Sequence, residues 1–344
     1  MNPVSAFIRL IRLPNLLIIV ATQYAIRYAI IGPFLFKFSG DQDIHNVGLK
    51  MSDLNFFLLC LSTVMIAAAG YIINDYFDVK VDRVNRPETI LVGKHIKRRV
   101  AMGAHIVISG IAILIGAYLA YEMQNWKLGL IQVFSVGALW YYSTLFKKQV
   151  LVGNIVVALL AALVPFVVGL YELLLQKEYV TDTVNALLFY LEEGTPFELI
   201  EYQFMLVLTS ILYWTLGFSL FAFLSTMVRE IIKDAEDYEG DKKYFSNTLS
   251  VIYGTRKGAL VAQLFAVLMI LALGYVQYNQ LISKDTGSFM YFLFAIQVPL
   301  IYVIYKLNQA KEKADFTKLS KYMKLIMLMG ILYSLFFYLN TINV

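Results

Sequence analysis

Residues 54–88 read LNFFLLCLSTVMIAAAGYIINDYFDVKVDRVNRPE. Twenty apolar and small residues run up to Asn74, and then carboxylates arrive at Asp75, Asp78 and Asp82. The three aspartates stand three and four residues apart, so a helix places them on one face. Asn74 lies four before Asp78 and joins that face. A charged motif at the end of an apolar helix points to a membrane protein with chemistry at one edge of the bilayer.

Composition supports that reading. Of 344 residues, 59% are hydrophobic and 15% charged, and the mean hydropathy is +0.66. A soluble domain of this length carries far more charge. The expected fold is all-α, a single polytopic transmembrane domain over 1–344. Nine apolar spans stand at about 14–36, 54–74, 101–121, 128–146, 150–175, 204–227, 257–278, 289–306 and 321–342, each close to the length that crosses a hydrocarbon core. The N-terminus, with Arg9 and Arg12 before the first apolar run, reads as a retained helix rather than a cleaved signal. The lone cysteine, Cys60, excludes an internal disulfide.

Nine crossings put the termini on opposite sides. Only Arg27, Lys37, Lys50, Lys127, Lys177 and Lys284 of the 29 basic residues fall on one set of connections. The other 23 fall on the set that includes both acidic stretches. By the positive-inside rule that set is cytoplasmic. The expected location is therefore a multi-pass cell membrane, with the N-terminus and active-site loops cytoplasmic and Val344 external. The outer connections 37–53 and 176–203 are mixed in composition, with a short interfacial helix expected at 183–191, and neither carries an assigned role. His45, His95 and His105 lack metal-ligand spacing.

The acids come twice. REIIKDAEDYEGDKKYFSNTL starts at Arg229 and carries Asp234, Asp237 and Asp241 with the same three-then-four spacing. Both clusters emerge on the same side, so helices in a ring would turn them toward one shared cavity. Facing carboxylates at a shielded interface repel by on the order of a few kcal/mol per close pair, and a divalent cation removes that cost. Oxygen-only donors suit Mg²⁺, which keeps some waters and shares its shell with phosphate. Neither cluster has His or Cys, which argues against zinc. Flanking bases suit a polyphosphate bridged by metal. The plainer reading of either cluster is a solvated cytoplasmic loop, but the matched spacing favours the pair acting together. Intramembrane acids also occur in cation-coupled transporters, where they sit at mid-depth; these sit at helix ends.

The motifs resemble those of the UbiA-type intramembrane prenyltransferases. Asn74 to Asp82 fits NDxxDxxxD, and DAEDYEGD over 234–241 resembles DxxDxxGD. RLPN at 12–15, VNRPE at 84–88, WYYSTLFKK at 140–148 and GNIVVA at 153–158 agree in order. The pattern departs at RPETILVGKHIKRR, where the family often has RPLxSG. Val79 stands where the haem-farnesylating branch has Arg.

The resemblance implies nine helices around a central cavity with a side opening to lipid. It implies two Mg²⁺ ions holding an isoprenyl diphosphate whose tail lies in the apolar interior. Carried onto this sequence, Asn74, Asp78 and Asp82 hold one metal, and Asp237 and Asp241 the other. Asp75 and Asp234 are further ligands or supports. Lys94, Arg98, Arg229 and Lys233 are candidates for diphosphate, and Arg12 and Asn15 for substrate. An allylic cation needs aromatic shelter; Tyr142 is favoured over Tyr76, Phe77 and Tyr141. RLPN and YFDVKVDRVNRPE look most like the digeranylgeranylglyceryl phosphate synthase branch. There the donor is geranylgeranyl diphosphate, and the lipophilic acceptor is geranylgeranylglycerol phosphate. Arg12, Lys147, Lys148, Lys242 and Lys243 would serve the acceptor phosphate. An aromatic acceptor of quinone biosynthesis is the alternative. The bilayer is the other partner, and no nucleic-acid partner is expected.

Overall fold

The computed structural model describes residues 2–40, 44, 47–191 and 194–342. His45 and Val344 lie outside them. Among the described residues, nine long helices account for most of the chain. They are α1 (Leu13–Phe38), α2 (Asp53–Asn85), α3 (Arg98–Glu122), α4 (Gly129–Thr144), α5 (Val152–Glu178), α6 (Phe197–Glu236), α7 (Thr255–Ile282), α8 (Thr286–Leu307) and α9 (Lys313–Ile342). Eight are long and apolar enough to cross a bilayer. The ninth, α4, has 16 residues and spans only about 24 Å. Short 3₁₀ turns at Trp126–Leu128 and Phe146–Lys148 flank it and take up chain that the sequence assigns to the span.

Two helices overrun their expected limits. At 33 residues, α2 is about 50 Å long, well beyond a hydrocarbon core of about 30 Å. The excess is the acidic motif, which continues the helix instead of forming a loop. Ser52 caps its start, accepting from the Asn55 N–H at 3.2 Å. The helix stops at Asn85 because Arg86 precedes Pro87, and a residue before proline is pushed out of the α region; Arg86 has φ −151° and ψ 63°. Helix α6 starts at Phe197 rather than near 204, and its 40 residues carry it to Glu236.

Sequence neighbours pack side by side, and α9 returns to α1, which closes a ring. The closure is uneven. Helix α9 packs on the π-helical turn Ala25–Ile31 of α1 and on Gly32–Phe38, but makes at most slight contact with Leu13–Tyr24. The ring is thus parted between α1 and α9 at one end. One apolar core joins α6 to α7, α8 and α9 around Met227, Ile231, Ala262, Leu300 and Met323. A second fills the other end around Ile30, Phe56, Tyr171 and Phe204. There Arg27 pairs with Glu172 at 3.3 Å, and both are buried. Glu172 also accepts the Lys50 N–H at 2.5 Å and the Met51 N–H at 3.3 Å. The far end is therefore tied together by a buried ion pair and its backbone partners.

Among the described residues, shorter helices run over Pro3–Leu10, Val180–Leu188, Tyr238–Lys243 and Leu249–Tyr253. Pro3–Leu10 lies ahead of α1 and packs Ala6 and Leu10 with Ile72 and Val92. Val180–Leu188 fills the second outer connection, a few residues earlier than the sequence places it.

Candidate active site

A cavity of about 1170 Å³ opens at the end where α2 and α6 overrun. Its wall takes Asn74, Asp75, Asp78 and Asp82 from α2, and Asp234, Asp237 and Asp241 from α6 and the following turn. The two acidic stretches face one space, as their parity requires.

The second stretch is not one continuous helix face. Helix α6 ends at Glu236, Asp237 has φ −92° and ψ 8°, and a separate turn runs Tyr238–Lys243. The cause is a contact between the motifs. The Asn85 amide donates to the Asp237 carbonyl at 3.1 Å and accepts from the Gly240 N–H at 2.9 Å. A Cβ on Gly240 would stand 2.5 Å from the Asn85 amide carbon, so only glycine admits this approach.

Bases pair with three of the six motif aspartates, and an amide holds a fourth. Arg12 is in the left-handed region, with φ 53°, which breaks the chain between Pro3–Leu10 and α1. Its guanidinium donates to Asp75 at 2.8 Å and lies over the Tyr71 ring at 4.8 Å. Lys147 pairs with Asp78. Gly153 permits this: a Cβ there would sit 2.8 Å from the Lys147 Cα, so the 145–153 turn folds tightly against α5. Asn154 donates to Asp234 at 2.9 Å. Arg86 reaches Asp237 at 2.9 Å and Glu236 at 3.1 Å. Burial raises the Asp237 carboxyl above the ordinary range, against the pull of Arg86 and Lys233. Burial, with Asp237 and Asp78 close by, pushes Asp241 up to about 7. Burial is the leading cause at both carboxylates, and it disfavours their charged form.

Among the described residues no three acidic, histidine or cysteine side chains converge tightly enough to cage an ion unaided. The donor set nevertheless fits a cation that shares its shell with phosphate. The Asn74 Oδ1 is buried with no hydrogen-bond partner, an acceptor in the acidic wall that lacks a positive group.

Arg12, Asn15, Arg229, Lys233 and Tyr142 line the cavity, as the sequence reading expects of substrate-binding residues. Lys94 and Arg98 stand off the wall. Lys94 is exposed in the turn after Gly93, and Arg98 stacks over Tyr76 at 4.3 Å. Of the other aromatics, Phe77 reaches the cavity while Tyr141 is 53% exposed on the outside. Lys148 is on the wall, but Lys242 and Lys243 are not; Lys242 sits over Tyr238 at 5.4 Å. Lys147, grouped by sequence with the acceptor, belongs to the first acidic stretch. Arg86, Asn154, Glu230 and Lys324 line the cavity without a role from sequence. Asn154 and Arg86 stand in the quoted GNIVVA and VNRPE segments, a signal that was there to read; Lys324 sits in a lysine-rich segment that topology alone explains. His105 is a core histidine, bonded to the Ala69 carbonyl at 3.0 Å.

The sequence model of the UbiA prenyltransferase family matches residues 46–332. The chain belongs to the UbiA prenyltransferase family. It is therefore a transferase of isoprenyl groups. Among curated relatives it is 28% identical to the digeranylgeranylglyceryl phosphate synthase of Methanosphaera stadtmanae over 270 residues, 78% of this chain and 83% of that one. It is 35% identical to the enzyme of that name from Methanothermobacter thermautotrophicus over 62% of each chain. Solved structures share the UbiA fold. One of digeranylgeranylglyceryl phosphate synthase in membranes matches at TM-score 0.56 and 23% identity, covering 100% of both chains. A UbiA homologue from Archaeoglobus fulgidus bound to DMAPP and Mg²⁺ matches at TM-score 0.52 and 18% identity, over 98% of this chain and 99% of that one.

Proposed function

We propose that this UbiA prenyltransferase moves a geranylgeranyl group from geranylgeranyl diphosphate to the free hydroxyl of geranylgeranylglycerol phosphate, with Mg²⁺ at the acidic cavity and that cavity on the cytoplasmic side. The observation that carries the reading is the pair of acidic stretches facing one base-lined cavity. The relatives named digeranylgeranylglyceryl phosphate synthase support the acceptor.

Asn74, Asp78 and Asp82 would hold one Mg²⁺, and Asp237 and Asp241 a second. Asp75 and Asp234 act as supports, held by Arg12 and Asn154. When bound, Mg²⁺ supplies positive charge to the leaving diphosphate. Lys147 and Arg86, each held against an acid of the wall, add donors at the same place, where charge develops as the bond breaks. The allylic C–O bond to diphosphate breaks, and the acceptor oxygen forms the new C–O bond. The hydroxyl proton leaves with the departing diphosphate. Tyr142 and Phe77 on the wall shelter the allylic carbon from water.

Side-by-side assays of the purified protein with geranylgeranyl diphosphate test the acceptor. Geranylgeranylglycerol phosphate is expected to be prenylated in preference to 4-hydroxybenzoate. Prenylation of the aromatic acid alone would overturn the ether-lipid reading and leave the prenyltransferase assignment standing.

A further inference from the structure

Three of the cavity-wall bases that form no ion pair with a motif aspartate lie together. Arg229 and Lys233 lie one turn apart on α6, and Lys324 comes from α9. Lys324 acts electrostatically on Arg229, Lys233 and Arg12, so the four share one small region. Arg12 is matched by Asp75. Glu230 is bonded to Arg229 at 2.5 Å and to Lys233 at 3.5 Å, and Asp234 and Asp237 also act electrostatically on Lys233. The next acid along α6, Asp234, is engaged by Asn154. Lys324 makes no ion pair among the described residues. The Arg229 Nε is buried with no hydrogen-bond partner.

Uncompensated charge inside a membrane protein is costly and marks a ligand site. Depth separates Arg229 and Lys324 from Asp237 and the acidic rim. Arg229 lies eight residues before Asp237, about 12 Å along the helix. Lys324 lies eleven residues past Lys313, about 16 Å; Lys313 itself reaches the Asn85 carbonyl at 2.6 Å, beside the acidic rim. Lys324 is also exposed on the helix that parts from the Leu13–Tyr24 portion of α1. A lipid entering through that side gap would pass its headgroup by Lys324.

We infer that Arg229, Lys233 and Lys324 form a phosphomonoester site that receives the headgroup of the acceptor, with Lys324 the specificity-determining residue. This rests on the ether-lipid reading above and deepens it. A phosphomonoester offers three acceptor oxygens and close to two negative charges at neutral pH, which suits the unpartnered Arg229 Nε and the unpaired Lys324 with Lys233 beside them. Arg229 and Lys233 thereby move from the diphosphate, where the sequence placed them, to the second substrate.

Steady-state kinetics of Lys324→Met in the full chain test this, with Lys324→Arg as the conservative control. Losing one charged hydrogen bond to phosphate is expected to raise the KM for geranylgeranylglycerol phosphate by about tenfold or more. The KM for geranylgeranyl diphosphate is expected to stay unchanged, and Lys324→Arg to restore most of the loss. With geranylgeranylglycerol, which lacks the phosphate, Lys324→Met and the unmutated protein are expected to behave alike. An unchanged acceptor KM in Lys324→Met, or a rise in the diphosphate KM instead, would overturn the inference while the ether-lipid reading stands. No turnover of geranylgeranylglycerol phosphate by the unmutated protein would overturn both. Circular dichroism and the yield of monodisperse Lys324→Met serve as the check on folding.

Discussion

Replacing Gly240 with alanine tests whether the two acidic stretches are held in register by direct contact. The new Cβ would lie 2.5 Å from the Asn85 amide carbon, closer than atoms can stand. Asn85 is buried and bonded on both sides, at 3.1 Å to Asp237 and 2.9 Å to Gly240, so it cannot simply swing away. Overpacking of this kind costs about 1–3 kcal/mol, and two lost hydrogen bonds add about 0.5–1.5 kcal/mol each. The expected destabilisation of the local turn is about 2–6 kcal/mol. It falls on the segment that places Asp237 and Asp241, and a displacement of about 1 Å at reacting groups can cost about a hundredfold in rate. Turnover of Gly240→Ala is thus expected to fall about a hundredfold, with the protein still inserted. Asn85→Ala should lower activity by itself through the unpaired Gly240 N–H. The double variant should be no worse than Asn85→Ala alone, because the clash needs both side chains. Full activity in Gly240→Ala, or additive losses in the double variant, would refute this account.

Asp78→Ala and Asp237→Ala are each expected to cut turnover by roughly a thousandfold while leaving the helices inserted, as judged by circular dichroism and by the yield of monodisperse protein. Arg86→Met is expected to raise the KM for isoprenyl diphosphate by about tenfold, because Arg86 bridges the loop after α2 to Asp237; an unchanged KM would confine Arg86 to a structural role. Reporter insertions near Thr89 and near Asn247 should read as cytoplasmic and one near Gln124 as external; the reverse pattern would overturn the orientation taken from the basic residues.

Much of the site was legible because helical spacing is rigid. Once α2 is a helix, Asp75, Asp78 and Asp82 must share a face, and parity must bring Asp237 to the same edge. The nine-helix layout followed from apolar length for the same reason, although α4 falls short because 3₁₀ turns take up its ends. Contacts between distant segments were not legible. The Asn85–Gly240 pairing depends on where the α2 terminus meets the turn after α6, and it breaks the second acidic face that spacing alone extends through Asp237. The left-handed turn at Arg12 is similarly invisible, as is the tight 145–153 turn that delivers Lys147 to Asp78. Lys324 was hidden for a different reason. A lysine near a cytoplasmic helix end is expected on topological grounds, so nothing marks the one that faces a cavity. Lys94 and Arg98 show the converse: bases next to a motif in sequence need not turn toward it.

The central claim is that the two acidic stretches work as one metal-dependent site for cleaving an isoprenyl diphosphate. The most direct measurement is diphosphate release by purified protein given geranylgeranyl diphosphate, geranylgeranylglycerol phosphate and Mg²⁺, with the ether product quantified in parallel. Release equal to ether formed, abolished by EDTA and restored by added Mg²⁺, is the expected result. Equal turnover in EDTA, or no diphosphate release with Mg²⁺ present, would contradict it.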